Sequence, residues 1–334
     1  MHAAPHFNSN MRILIATPAP PKSRKGNRIT ALRWARLQRN LGHTVRLSQH
    51  FVRQNCELLI ALHARRGARS VQRFAELHPE RPIILALTGT DLYRDIRRSA
   101  AAARSMQLAT RLVLLQPDGL QQLPAELRMK SRVIFQSATA IRRPAQLKRV
   151  FEVCVVGHLR TEKDPFRTAL AARRLPSESR IQIVHLGAAL DAKMEQRARM
   201  ESQRNPRYQW LGEFAHGRTR QRQARARLLV LSSRIEGGAN VLSEALAARV
   251  PVLSTRISGS VGILGKDYPG YFDVGDTARL TQLLVRAEND RRWYDQLTAR
   301  CLRLAALVEP DREQRAWDQL IAESLSSMVR ETDS

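Results

Sequence analysis

The sequence predicts an α/β protein: two Rossmann-like domains of parallel sheet facing across a cleft, followed by a C-terminal helix. Three observations predict it. Short apolar runs alternate with helical patterns along the whole chain. A stretch near the middle, Ala138–Arg149, holds Pro144 and a cluster of charges but no strand pattern, and reads as a linker. In the second half a Gly-rich turn separates a strand-like run from a helical pattern, as at the ligand end of an open parallel sheet.

In the first half the strand-like runs are Arg12–Ala16, Val45–Leu47, Leu58–Leu62, Ile83–Leu87, Leu112–Leu115 and Val133–Phe135. Continuous Val, Ile and Leu runs are the mark of strands buried on both faces. The pattern Ile29–Leu41 reads as a helix stopped by Gly42. In the second half the runs are Val153–Val156, Ile181–His185, Tyr208–Leu211, Leu228–Leu231 and Val252–Leu253, with helical patterns between them. Beyond a break at Pro310, Asp311–Met328 is helical. The expected domains are therefore 11–140 and 150–310. The helix 311–330 is expected to pack back toward the first domain. No fixed-period repeat or low-complexity tract interrupts this order.

A chain of 334 residues is long enough for two domains with their own cores. No apolar run approaches the roughly 18 residues that span a bilayer, so no integral membrane segment is expected. Met1–Asn10 lacks the charged start and apolar middle of a secretory leader, and reads as an upstream start or lead-in before Met11. Cys56, Cys154 and Cys301 are odd in number and far apart, which argues against a disulfide framework or a zinc site and for a cytoplasmic protein.

The net charge of +26 is unevenly spread. Residues 11–150 hold 27 Lys and Arg against 7 Asp and Glu, whereas residues 151–334 hold 29 against 23. The first half should therefore attract anions. Nucleic acid, an anionic membrane face and a small anion are all open on charge alone. Aromatic residues make up only 5%, and no basic stretch is interleaved with them, which speaks against nucleic acid.

The most informative segment is Ser232–Ala247. It follows the run Leu228–Leu231, turns through Gly237 and Gly238, and opens a helix reaching about Ala248. A strand, a Gly-rich turn and a helix N-terminus make an anion site, because backbone N–H groups are free there and the helix dipole is positive. Glu244 lies one turn into the helix and Glu236 just before the glycines. Two carboxylates beside a phosphate site repel phosphate, so they are suited to hydroxyl groups instead. The implied ligand is a diphosphate flanked by polyols, which describes a nucleotide-sugar.

The setting Ser233, Glu236, Gly237, Val241, Glu244 and Ala245, with a Glu-x7-Glu pair, resembles the donor site of retaining GT-B glycosyltransferases of family 4. The resemblance implies that Glu236 holds donor-sugar hydroxyls, that Glu244 holds the ribose, and that Gly237, Gly238, Ala239 and Asn240, with Val241, hold the diphosphate. The run Val155–Asp164 resembles the same family's Val-Gly-Arg-Leu-x-x-x-Lys-Gly loop, where an Arg and a Lys neutralise the leaving diphosphate. Lys163 matches the Lys. His158, after Gly157, stands at the Arg position, and Asp164 stands at the Gly position. Either Arg160 supplies the second charge or Lys163 acts alone. Leu211 falls where the base is met. No Asp-x-Asp triplet occurs, so no metal held by such a pair and no cofactor is implied; the UDP-sugar is a substrate.

Three loops at strand ends in the first half are expected on the acceptor side. The first, Thr17–Arg28, crowds Lys22, Arg24, Lys25 and Arg28 around Gly26 and Asn27. The second carries His63, Arg65 and Arg66, and the third is Thr88, Gly89, Thr90 and Asp91. Such cations suit a phosphate-like anion. These strings, with Arg33-Trp34 and Gly262–Phe272, resemble the selenosugar synthase group of selenoneine biosynthesis, whose pattern includes His158 and Thr88. The resemblance runs from about Met11 to Arg300. It implies a UDP-sugar donor, UDP-N-acetylglucosamine or UDP-glucose, and selenophosphate or a similar small anion as acceptor. The competing readings are a family 4 enzyme of glycolipid or lipopolysaccharide assembly, and a non-catalytic nucleic-acid-binding protein.

Overall fold

The computed structural model describes residues 10–23 and 26–332. Arg24 and Lys25 of the first cationic loop lie outside the described residues, as does the lead-in before Asn10. The chain forms two compact units, one running up to Gln136 and resuming at Pro310, the other covering Ser137–Glu309.

The first unit contains a six-stranded sheet of β1 (Arg12–Ala16), β2 (Thr44–Ser48), β3 (Leu58–Leu62), β4 (Ile83–Leu87), β5 (Arg111–Leu114) and β6 (Ser131–Val133). Its order is β2-β1-β3-β4-β5-β6, and every pairing is parallel. Side chains alternate across it. Ile13, Ile15 and Ile60 face one core with Trp34 and Trp317, while Leu14, Ala16 and Leu59 face another with Phe74 and Met106. Both faces are dry, which explains why these strands read as unbroken apolar runs.

The helix Gly26–Asn40 buries Thr30, Ala31, Trp34, Ala35, Leu37 and Gln38, the three-and-four spacing of a single face. It begins at Gly26, three residues before the apolar pattern, and is closed by Gly42 at φ +92, a left-handed turn that glycine adopts without a Cβ penalty. The C-terminal helix Pro310–Thr332 belongs to this unit. Pro310 is its first residue, since a fixed φ suits a position whose N–H needs no partner. Trp317 meets Trp34 edge to face at 4.7 Å, worth about 0.5–1.5 kcal/mol beyond the area buried. Buried Glu313 accepts from Trp34 Nε1 at 2.7 Å and pairs with Arg33 Nε at 2.9 Å.

The second unit holds β7 (Phe151–Val156), β8 (Ile181–Leu186), β9 (Tyr208–Trp210), β10 (Leu228–Leu231), β11 (Val252–Thr255) and β12 (Tyr271–Phe272). The order is β12-β11-β10-β7-β8-β9, again wholly parallel. The connecting stretch 138–149 has neither helix nor strand, and Arg143 pins it by donating to the carbonyls of Ala224, Ala226 and Arg249. Strands β5 and β6 start one and two residues earlier than hydropathy places them, because the ladder recruits Arg111 and Ser131 against Ile84 and Leu112. Pairing needs only backbone groups, which side-chain polarity does not report. Among the described residues no helix is long and apolar enough to cross a membrane.

Candidate functional site

In the second sheet the chain winds from β7 to β8 and β9 on one side, then crosses to β10, β11 and β12 on the other. The order reverses between β7 and β10, and ligands of such sheets bind in the crevice outside the carboxyl ends of those two strands. The loops leaving them are 157–164 and 232–239, the two segments singled out from the sequence.

The loop after β7 is held from below. His185 on β8 donates from Nε2 to the Gly157 carbonyl at 3.0 Å, and its Nδ1 meets the Tyr208 hydroxyl at 2.8 Å. A carbonyl only accepts, so the proton sits on Nε2 and Nδ1 receives the tyrosine O–H. Complete burial pushes the His185 pKa down to about 4, leaving the ring neutral. A Cβ at Gly187 would fall 2.0 Å from the Gly157 oxygen, so only glycine permits this approach. His158 faces the same strand end, its Nδ1 accepting from Ala188 N–H at 3.1 Å.

The loop then makes a single 3-10 turn, Thr161–Lys163, and reverses through Asp164 at φ +42. Asp is one of the few side chains that tolerate this left-handed region. Its carboxylate is held by Arg167 at 2.9 Å, and Ser232 Oγ donates to the carbonyls of Lys163 and Asp164. Arg160 leads into the turn. Its buried Nε takes no hydrogen-bond partner among the described residues.

Across the crevice, Glu236 Oε1 forms an ion pair with Lys163 Nζ and accepts from Ser233 Oγ at 2.6 Å. Both side chains are largely covered, at 18% exposed for Lys163 and 11% for Glu236. Gly259 lies under this turn, where a Cβ would come within 2.2 Å of the Glu236 carbonyl. Thr255 Oγ1 fixes the turn from β11 by donating to the Ser233 carbonyl at 2.6 Å. The helix Asn240–Ala247 follows, with Ala239 at its cap position and no side-chain cap. The cap residue itself thus places no hydroxyl or carboxylate over the first-turn amides. Buried Glu244 meets His216 Nε2 at 2.6 Å through Oε1. Val241 is buried beside it on the same helix. Leu211, whose N–H reaches the His185 carbonyl, lines a surface pocket of about 350 Å³ with Phe214, Arg218 and Arg222.

In the first unit, β1, β3 and β4 are neighbours, so the three loops expected on the acceptor side leave adjacent strand ends. Asp91 draws the second and third together. It accepts from Ala64 N–H at 3.0 Å, from Thr88 N–H at 3.0 Å and from Gly89 N–H at 2.7 Å. Gly89 takes φ +148 to present its amide. His63, itself left-handed at φ +74, is buried with Nε2 3.2 Å from Thr90 Oγ1. Burial lowers its pKa against the opposing pull of Asp91 and Asp95. Arg65 pairs with Asp95 at 2.9 Å. In the first loop Thr17 Oγ1 donates to the Asn27 carbonyl at 3.4 Å, next to Gly26 and Arg28, whose Nε is buried.

Residues 138–300 match the family described as glycosyl transferases group 1. Both loops of the crevice lie inside the matched residues. No curated protein matches the sequence. The fold of the whole chain is GT-B and is shared with solved structures of low sequence identity. Anabaena HepE in complex with UDP has 15% identity and a TM-score of 0.73, covering 96% of this chain and 100% of that one. The same protein in complex with UDP-glucose has 16% identity and a TM-score of 0.72, covering 95% and 100%. Sucrose-phosphate synthase from Thermosynechococcus elongatus has 13% identity and a TM-score of 0.76, covering 95% and 99%.

Within the matched residues the fold brings Gly157, His158, Arg160 and Lys163 to one side of the crevice and Glu236–Glu244 to the other. Lys163 and Glu236 neutralise each other there. A lysine on four flexible bonds can turn from a carboxylate to another anion, which would leave Glu236 free to accept hydrogen bonds. Sequence reasoning assigned no role to Gly259, His185, His216 or Asp95, and counted Asp91 only as a member of the third loop. Gly259, His185, His216 and Asp95 lie outside the motifs read from the sequence, and Asp91 reaches beyond its own loop to Ala64. Asp164 at a left-handed position was visible as the single departure from a glycine. Among the described residues no cluster of three or more His, Cys, Asp or Glu could hold a metal ion.

Proposed function

We propose that the protein is a metal-independent selenosugar synthase, moving a sugar from UDP-N-acetylglucosamine or UDP-glucose to selenophosphate. The observation that carries the donor half is the Lys163–Glu236 pair at the switch point of the group 1 domain. The complexes of HepE with UDP and UDP-glucose support a UDP-sugar. In this reading Gly157, His158 and the amides of Gly237, Gly238, Ala239, Asn240 and Val241 hold the diphosphate. Glu236 orients the sugar hydroxyls, Glu244 the ribose, and Leu211 meets the base.

Selenium of the acceptor attacks the anomeric carbon as its bond to the diphosphate oxygen breaks. The electron pair leaves with UDP, and Lys163, with Arg160, meets the developing charge. Fixed cations and amides aimed at departing charge are the largest catalytic contribution in many enzymes. Water then cleaves the Se–P bond, giving phosphate and the 1-seleno-sugar. Selenium is nucleophilic enough that no strong general base is required. The acceptor half is supported by the basic first unit, where Lys25, Gly26, Asn27, Arg28, His63, Arg65, Thr88, Gly89 and Thr90 are assigned to a small multiply charged anion.

The test is anaerobic incubation with each UDP-sugar, with and without selenophosphate, read by mass spectrometry. Selenium-dependent UDP release with a seleno-sugar product is the expected result. UDP release without such a product would move the reading to another acceptor, such as a glycolipid.

A further inference from the structure

We infer that His216 is a positioning residue of the donor site, which holds Glu244 in the orientation that selects a ribose. The inference rests on the reading of Glu244 as the ribose carboxylate.

His216 is the first residue of the helix His216–Arg225. Both ends of this helix are anchored inside the second unit. Upstream, Gly212 turns at φ +71 with its carbonyl accepting from Gly187 N–H at 2.8 Å, and Leu211 N–H reaches the His185 carbonyl at 2.9 Å. Downstream, Gln223 Nε2 donates to the Val241 carbonyl at 2.8 Å, which fastens this helix to Asn240–Ala247. The imidazole is thereby carried to Glu244, at 2.6 Å. An ionised carboxylate only accepts, so Nε2 carries the proton.

The contact divides the carboxylate. Oε1 is held by His216, and Oε2 is the oxygen for a ribose hydroxyl. A glutamate carboxylate without a partner can still rotate about its last bond, and freezing it on ligand binding costs affinity. A group locked in advance avoids that cost, as supporting hydrogen bonds do in binding sites generally. A purely stabilising pair is a poor account of the geometry. The imidazole side chain is 44% exposed, so water competes for its half of the pair and limits what it contributes to folding. Glu244, in contrast, is almost fully covered and lies in the segment that follows the Gly-rich turn.

The experiment is calorimetric titration of the full chain with UDP and with 2′,3′-dideoxy-UDP, taking the ratio of the two affinities. Wild-type protein should prefer UDP, and Glu244→Ala should bring the ratio close to one. His216→Ala should shrink it by about tenfold, the loss that follows removal of one hydrogen bond to a charged group. His216→Gln keeps an N–H donor and should restore part of it. His216→Ala strips a partner from the covered Glu244 and should lower the melting temperature modestly, whereas His216→Gln, which keeps a donor, should stay near wild type. If Glu244→Ala collapses the ratio while His216→Ala preserves it, the role of His216 is overturned and that of Glu244 stands. If Glu244→Ala also preserves the ratio, the ribose assignment falls and the inference with it.

Discussion

Lys163 and Glu236 lie 73 residues apart in sequence and form an ion pair across the point where the second sheet reverses its strand order. The pair is mutually neutral, partly covered, and set between two loops that other strands brace from below. Lys163→Ala and Glu236→Gln should each lower turnover by about 100-fold or more, the usual loss when one stabilising group is removed from a charged transition state. Circular dichroism should show both variants folded. A variant with wild-type rates would take that residue out of the mechanism.

Gly259 offers a test that leaves every polar group in place. In Gly259→Ala the new Cβ would meet the Glu236 carbonyl at 2.2 Å, so the Ser233–Gly237 turn must move. Displacements of about 1 Å in a reacting constellation can cost 100-fold in rate. Turnover should therefore drop steeply with a Lys163 and Glu236 that are chemically intact. Full activity in this variant would mean that the turn tolerates displacement.

Acidification should weaken the second unit through His185. Its folded pKa, near 4, is below the unfolded value of about 6.5. The stability is thus fully present above pH 6.5 and is lost as pH falls toward 4, because the unfolded chain takes a proton that the folded one refuses. Over that window the loss from this group amounts to about 3 kcal/mol. Denaturant unfolding at pH 7.5, 6 and 5 should show the decline, with a shallower slope in His185→Gln. Parallel slopes would place the pH dependence elsewhere.

Of the two arginines proposed to meet the acceptor, Arg28 and Arg65 are not equivalent. Arg65 is tied to Asp95, so its removal also strips a partner from a buried carboxylate. Arg28→Ala is the cleaner variant, and it should raise the acceptor KM about tenfold, as expected for loss of one charged hydrogen bond, while the donor KM barely changes. Arg65→Ala should combine a higher acceptor KM with a lower melting temperature. Equal effects on donor and acceptor in Arg28→Ala would remove it from the acceptor site.

Legibility in the sequence followed burial. Strands β1, β3, β4 and β10 stand at the bounds their hydropathy predicts, because they are covered on both faces and, apart from exposed Arg12 at the start of β1, every residue is apolar. The two-residue edge strand β12 was not legible at all, since Tyr271–Phe272 is too short to show a period. Asp164 shows the same limit in the site. Its type departs from the glycine of the resembling loop, yet its backbone keeps the left-handed turn, stabilised by Arg167.

Composition, period and the Glu-x7-Glu segment were enough to establish two parallel α/β units, a basic first half and a Gly-rich turn before the helix Asn240–Ala247. These properties are written in neighbouring residues, within one strand, turn and helix, where local sterics and backbone polarity act. Strand order, the meeting of Lys163 with Glu236, the bracing of Gly157 by His185, the gathering of two loops by Asp91 and the return of Glu313 to Trp34 came from the folded chain. Each joins segments whose contact is set by how sheets and helices close on a common core, and no local pattern encodes which distant partner a side chain will meet.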